Sequence, residues 1–162
     1  MSHFITREKA ILEIEKNRNE GECLICSLIN GKANFILEKN DRITVFLSEY
    51  PRFKGQIMIA PTLHVEQFSR MNEEVWKEMN GFALKSARIL EKLFLPARCY
   101  IASTGSPENL PMTCPHIHIN VIPVYDRTLQ PAQVFTWAHG VYAGSGEEWN
   151  GLFSEIKNEW SH

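Results

Sequence analysis

From His116 to Pro123 the chain reads His-Ile-His-Ile-Asn-Val-Ile-Pro, an alternation whose period of two fits an extended strand and no helix. As a strand it puts Ile117, Ile119 and Val121 on one face, which needs a core. His116, His118 and Asn120 fall on the other face, spaced at roughly 6.5–7 Å per two residues. Any fold for this chain must bury one side of the segment and align two imidazoles and an amide on the other. Imidazole titrates nearest neutrality, so nucleophilic, acid–base and metal chemistry are all open to that row. The competing reading is an exposed strand face that merely carries two histidines.

The rest of the chain supplies partners for such a strand. Asn34–Glu38 and Ile43–Ser48 read as strands, and the Lys39-Asn40-Asp41 turn between them predicts a hairpin. Gln56–Ala60 is a third strand, opened by Gly55 and closed by Pro61. From Asn72 to Phe94, Val75, Met79, Phe82, Leu90 and Leu93, with small Ser86 between, follow the spacing of a helix with one buried face. Asn72 caps that helix, and Glu73 and Glu74 suit the positive end of its dipole. Arg98–Ser103 is a fourth strand and His116–Pro123 a fifth. Shorter amphipathic helices are expected over residues 5–17 and Glu147–Trp160. Short strands with tight turns predict an antiparallel sheet carrying the long helix on one face, an α+β fold. Without a linker, repeat or low-complexity segment, residues 1–162 are expected to form a single domain.

Charge and cysteine content narrow the function classes. A net charge of −2 offers no large basic surface for nucleic acid. No apolar run reaches the ~20 residues of a membrane span, and no secretory leader is evident. Four cysteines are too few and too unevenly spread for a secreted disulfide scaffold, so a cytoplasmic protein is expected. Two of them form Cys23-Leu24-Ile25-Cys26, a spacing that suits either a zinc ion or a redox pair. The redox option prefers a pair opening a helix in a parallel βαβ unit, which this pattern does not supply. Two further ligands, His64 after the third strand and His116, make a Cys2His2 set chemically sensible.

Taken together, Cys23-Leu24-Ile25-Cys26, Leu47-Ser48-Glu49-Tyr50-Pro51, Gly55 through His64, and His116 through Pro123 resemble the histidine triad (HIT) superfamily. The likeness spans about residues 22–125, with 126–162 as a C-terminal extension. It implies a HIT-like fold of about five antiparallel strands with one long helix packed on the sheet and extra N- and C-terminal helices. In the family the middle triad histidine attacks the α-phosphorus of a nucleotide and is transiently nucleotidylated; His118 matches it. Zinc-containing bacterial members, and the related galactose-1-phosphate uridylyltransferases, hold a structural zinc with residues matching Cys23, Cys26, His64 and His116. The match places Thr113, Gln56 and Asn120 beside the phosphate, Ser48 at the ribose and Ser103 near the nucleotide. Family members are two-fold homodimers whose C-terminal segments reach the partner's site, so Trp137-Ala138-His139-Gly140 is a stretch that shapes substrate choice.

The departures carry their own expectations. The third triad position holds Asn120, the usual Gly-His at the third strand is Gly55-Gln56, and Pro111-Met112-Thr113 replaces the usual Gly-Gln-Ser/Thr. An amide donates no proton as an acid near pH 7, so hydrolysis of simple phosphoramidates should be weak. The uridylyltransferases also carry an amide there and pass the nucleotide to a phosphate acceptor. Nucleotidyl hydrolase or transferase is therefore the leading expectation. The alternative is a zinc-stabilised nucleotide-binding or interaction module without turnover.

Overall fold

The computed structural model describes residues 3–105 and 114–162. A five-stranded antiparallel sheet forms its centre, with its strands in the order Ile36–Lys39, Ile43–Leu47, Ile57–Pro61, Ile119–Val124 and Arg98–Ala102. Strands β2 (Ile36–Lys39) and β3 (Ile43–Leu47) make the expected hairpin. Asn40 Oδ1 accepts from the backbone N–H groups of Arg42 and Ile43 at 2.9 and 2.8 Å, which closes the turn locally. β4 (Ile57–Pro61) pairs with β3, and β6 (Ile119–Val124) lies between β4 and β5 (Arg98–Ala102). Asn120 thus stands opposite Met58 on one side and Ala102 on the other.

The long helix α3 (Glu73–Phe94) starts where its sequence says it should, with Asn72 Oδ1 accepting from Glu74 and Val75 N–H. Its Met79, Ala83, Ala87 and Leu90 pack on Val45, Ile57, Ile59, Ile119 and Val121 of the sheet. The last helix, α5 (Gly146–Trp160), turns Trp149, Leu152, Ile156 and Trp160 into the same core. That is the one buried face expected of an amphipathic helix there. Ile156 has no exposed surface, so Ile156→Ala is expected to lower unfolding stability by about 2–5 kcal/mol through lost burial and a residual cavity. Urea denaturation followed by circular dichroism measures this.

The opposite face of the sheet is covered in two separate blocks. At one end α1 (Arg7–Glu15) is followed by the short α2 (Leu24–Ser27) and an irregular turn, which seat Ile25 and Ile29 on Phe46 and Ala60. At the other end α4 (Pro131–Phe135) seats Val134 on Phe53, Ile122 and Val124. A two-residue ribbon, β1 (Phe4–Ile5) against β7 (Val141–Tyr142), joins the two chain ends beside this block. Gly140 makes the ribbon possible: its φ is +83° and a Cβ there would collide with the Ile5 carbonyl. Between the two blocks a stretch of sheet stays uncovered, and a cleft opens over it.

One strand is shorter than its sequence pattern. Hydrogen-bonded pairing of β6 begins at Ile119 and not at His116. The register of β4 sets Pro61 against Ile117, and proline has no N–H to offer a ladder. Ile117 N–H donates instead to Val65 O at 2.7 Å. His116 and His118 are thereby freed from the sheet ladder and enter two different sites. No helix among the described residues is long and apolar enough to cross a membrane.

Candidate active site and metal centre

Four ligand-bearing side chains converge at the junction of α2, the end of β4 and the start of β6. Cys23, Cys26, His64 and His116 present ligand atoms that all lie within 4.8 Å of one another. Cys23 Sγ is 3.4 Å from His64 Nδ1 and 3.6 Å from His116 Nδ1; Cys26 Sγ is 3.3 and 3.4 Å from the same atoms. Metal bonds of about 2.3 Å to sulfur and about 2.0–2.1 Å to nitrogen put neighbouring sulfur and nitrogen corners of a tetrahedron about 3.5 Å apart. All four measured edges fall close to that value, so the set fits a four-coordinate ion.

Outer contacts orient both imidazoles for this purpose. His116 Nε2 lies 2.9 Å from Pro61 O, and His64 Nε2 lies 2.8 Å from a Glu66 carboxylate oxygen. Each Nε2–H donates to its acceptor, which leaves the Nδ1 lone pair facing the thiols. The Cys26 N–H donates to Cys23 Sγ at 3.2 Å. A hydrogen bond from the Cys114 thiol, first, and that N–H hold the Cys23 thiol below its ordinary pKa against the opposing effect of burial. Cys114 itself is pushed up and stays protonated, by the same hydrogen bond and by burial. All four cysteines are free of disulfides.

His118 faces the other way, into a cleft of about 1090 Å³. Its Nδ1 lies 2.8 Å from His116 O. That carbonyl accepts the Nδ1 proton, so Nε2 carries the lone pair. Burial, reinforced by the nearby Arg52 charge, pushes the His118 pKa down to about 4 against the opposing effect of its bond to the His116 carbonyl. The imidazole is neutral at pH 7 and able to act as a nucleophile. Gly105 passes over its Cε1 edge, and a Cβ at Gly105 would stand 3.1 Å from Cys114 O.

Gln56 and Asn120 are paired. Gln56 Nε2 donates to Asn120 Oδ1 at 2.9 Å, Gln56 Oε1 accepts from Arg52 N–H at 2.9 Å, and Asn120 Nδ2 donates to Thr104 Oγ1 at 3.2 Å. Both amides are nearly fully buried, at 3% and 2% exposure. The two positions that depart from the family's histidines are thus bonded to each other, and neither holds a group that titrates near neutrality. A double-mutant cycle with Gln56→Ala and Asn120→Ala is expected to give a coupling of about 0.5–3 kcal/mol in unfolding free energy. Additive effects would contradict the pairing.

The remaining expected site residues fall in different places. Ser48 is buried and lines the cleft. Ser103 is exposed and does not line it; its neighbour Thr104 does. Thr113 lies outside the described residues. The cleft also contains Arg52, which the sequence did not single out, and Trp137, from the stretch expected to shape substrate choice. Arg52 is only 7% exposed, its Nε has no hydrogen-bond partner, and burial pushes its pKa down to about 10. Its guanidinium lies 4.8 Å from the centre of the Trp137 ring. Trp137, in the left-handed region at φ 60°, lines the cleft of its own chain. His139 packs edge-on against Phe53 and does not line the cleft.

A family model described as "Protein similar to CwfJ C-terminal" matches residues 12–136. An uncharacterised HIT-like protein of Methanocaldococcus jannaschii is 26% identical over 106 residues, covering 64% of this chain and 80% of that protein. A 16.1 kDa HIT-like protein of Mycoplasma pneumoniae, also uncharacterised, is 25% identical over 109 residues, covering 66% and 74%. Among solved structures, a zinc-bound histidine triad family protein from Mycobacterium smegmatis superposes with a TM-score of 0.66. It is 17% identical and covers 86% of this chain and 94% of that one. A hypothetical histidine triad nucleotide-binding protein from Sulfolobus tokodaii gives 0.67 at 16% identity, covering 86% and 92%.

Proposed function

The chain belongs to the HIT-like family of proteins similar to the CwfJ C-terminal region, and from that membership we propose that it is a nucleotidyl hydrolase or transferase acting at an α-phosphate through His118. The observation that carries this reading is the state of His118, a buried, neutral imidazole held by the His116 carbonyl with Nε2 open to the cleft. Nε2 attacks the α-phosphorus, a nitrogen–phosphorus bond forms, and the leaving group departs with the electron pair of the broken bond. Water or another acceptor then attacks the same phosphorus and returns the lone pair to Nε2. Spare N–H groups of the Gln56 and Asn120 amides donate to the phosphate oxygens, where positioning and charge supply most of the acceleration. Ser48 serves the sugar, and Thr113, three residues before His116, offers a hydroxyl to the phosphate.

Zinc is the metal proposed for Cys23, Cys26, His64 and His116, supported by their tetrahedral spacing and by the zinc-bound neighbour. Bound there it supplies no chemistry to the reaction; it ties α2 to the strand that carries His118. A homodimer in the cytoplasm, with nucleotides as its small-molecule partners, completes the proposal.

The test is mass spectrometry of the intact protein after incubation with adenosine phosphoramidate, dinucleoside polyphosphates and nucleotide sugars, with released nucleoside monophosphate followed in parallel. A nucleotidyl adduct on His118 is the expected result. A zinc-loaded protein that binds these nucleotides but forms neither adduct nor product would mark a binding module instead.

A further inference from the structure

Arg52 is a buried cation of the cleft whose charge no ion pair among the described residues answers. It is more than nine-tenths buried, Nε bonds to nothing, and none of the ion pairs among the described residues involves it. A buried guanidinium without a counter-ion is costly to keep, yet this one is held firmly. Its backbone N–H donates to Gln56 Oε1, and the preceding Pro51 O accepts from Tyr142 N–H at 2.9 Å. Lys54, two residues on, is bound to Glu148 at 2.8 Å. The guanidinium carbon lies over the Trp137 ring, and Arg52 lines the same cleft as His118, Gln56 and Asn120. A planar donor fork, pre-oriented on an aromatic ring and short of a counter-ion, suits a phosphate.

Resting on the reading of His118 as nucleotidyl acceptor, we propose that Arg52 binds a second phosphate group, the one joined to the α-phosphorus through a bridging oxygen. The substrates it selects are phosphoanhydrides, in preference to nucleotides joined to an amine. The chemistry is consistent with the amide at position 120. When Nε2 of His118 bonds to phosphorus, the bridging P–O bond breaks and its electron pair stays on the departing phosphate. That group is a weak base and leaves without a proton, but its growing negative charge needs a cation beside it. An amine leaving group needs a proton, which neither Asn120 nor Arg52 donates near pH 7. In the return step an oxygen of a phosphate held by Arg52 attacks the nucleotidyl phosphorus, and the P–N bond breaks back to His118. Arg52 thus touches the reacting phosphate and replaces proton donation with charge neutralisation.

The probe is inorganic pyrophosphate, titrated into the full-length, metal-loaded protein and followed by calorimetry and tryptophan fluorescence. Wild type, Arg52→Met, Arg52→Lys and His118→Asn are compared, with circular dichroism and zinc content confirming that each is folded. Wild type and His118→Asn are expected to bind. Arg52→Met should bind about tenfold more weakly or worse, with Arg52→Lys between them because it keeps the charge and loses the fork. In turnover, Arg52→Met should lose about a hundredfold in kcat/KM on a dinucleoside polyphosphate and far less on adenosine phosphoramidate. Equal pyrophosphate binding by wild type and a folded Arg52→Met protein overturns the proposal, as does an equal loss on both substrate classes. If wild type turns over no nucleotide at all, the covalent reading fails by itself, and the pyrophosphate titration still decides whether Arg52 is an anion site.

Discussion

His118→Ala is expected to lower nucleotidyl release by roughly a thousandfold or more and to abolish the protein adduct, because it removes the only group proposed to bond to phosphorus. The zinc ligands should be untouched, since His118 shares only a backbone carbonyl with them. Losing the Nδ1–H bond leaves His116 O without its partner, at a cost of about 1–3 kcal/mol in stability. The fold should therefore survive while activity does not. Steady-state release of nucleoside monophosphate, with intact-mass analysis of the same samples, separates this from general unfolding. Residual turnover within tenfold of wild type would place the nucleophile elsewhere. Sensitivity to pH offers a second check on the wild type. His118 already titrates near 4, so its protonation should not suppress the rate between pH 8 and 6.

Cys26→Ser, or chelation of the wild type, is expected to release the metal and loosen the block of the fold that the metal ties down. Binding at a thousand times the dissociation constant contributes about 4 kcal/mol to stability. For a chain of this length that corresponds to a fall in Tm of about 8–16 °C. The loss should be local first. Residues 19–33 lie on the sheet through Ile25 and Ile29 alone in the main, and the Glu22–Ser27–Asn19 hydrogen bonds stitch that segment only to itself. Hydrogen exchange should therefore rise across residues 19–33 and around His64 before α3 or β3 is affected. Calorimetry with and without chelator, with zinc counted by elemental analysis, measures the global effect. An unchanged Tm after complete removal would mean that the Cys2His2 cluster contributes nothing to the fold.

Much of the architecture was legible because burial writes a period into the sequence. The Asn72 cap and the apolar stripe behind it predicted α3 to within a residue, and the strands of the central sheet were located by alternation and by their turns. The end of β6 was misplaced for a reason local pattern does not contain: its neighbour at that register is Pro61. The helix α4 was overlooked although Pro131 opens it and Gln133 Oε1 accepts from Gln130 N–H at 2.9 Å, both ordinary start signals. The metal ligands were legible as a chemically sensible Cys2His2 set, but only the resemblance brought them together, since Cys23 and His116 are 93 residues apart. Arg52 left no trace to read. It is one of 17 basic residues, and Trp137, which lies against its guanidinium, belongs to a distant part of the chain. The pairing of Gln56 with Asn120 was present as two separate departures, and only the β4–β6 register makes them one change.

The β1–β7 ribbon has a consequence for the order in which the protein comes to life. Its first strand, at Phe4–Ile5, is synthesised long before its partner Val141–Tyr142 and waits for it unpaired. By then the ribosome has already delivered the sheet, both cysteine ligands, both histidine ligands and His118. A nascent chain can thus hold His118 before it holds the ribbon that fastens Pro51, beside Arg52, through the Tyr142 N–H. Non-local closures of this kind are slow because the loop entropy is spent before any contact repays it. The imidazole is early and the ribbon is late, so the cleft takes its final shape only when these two distant strands have met.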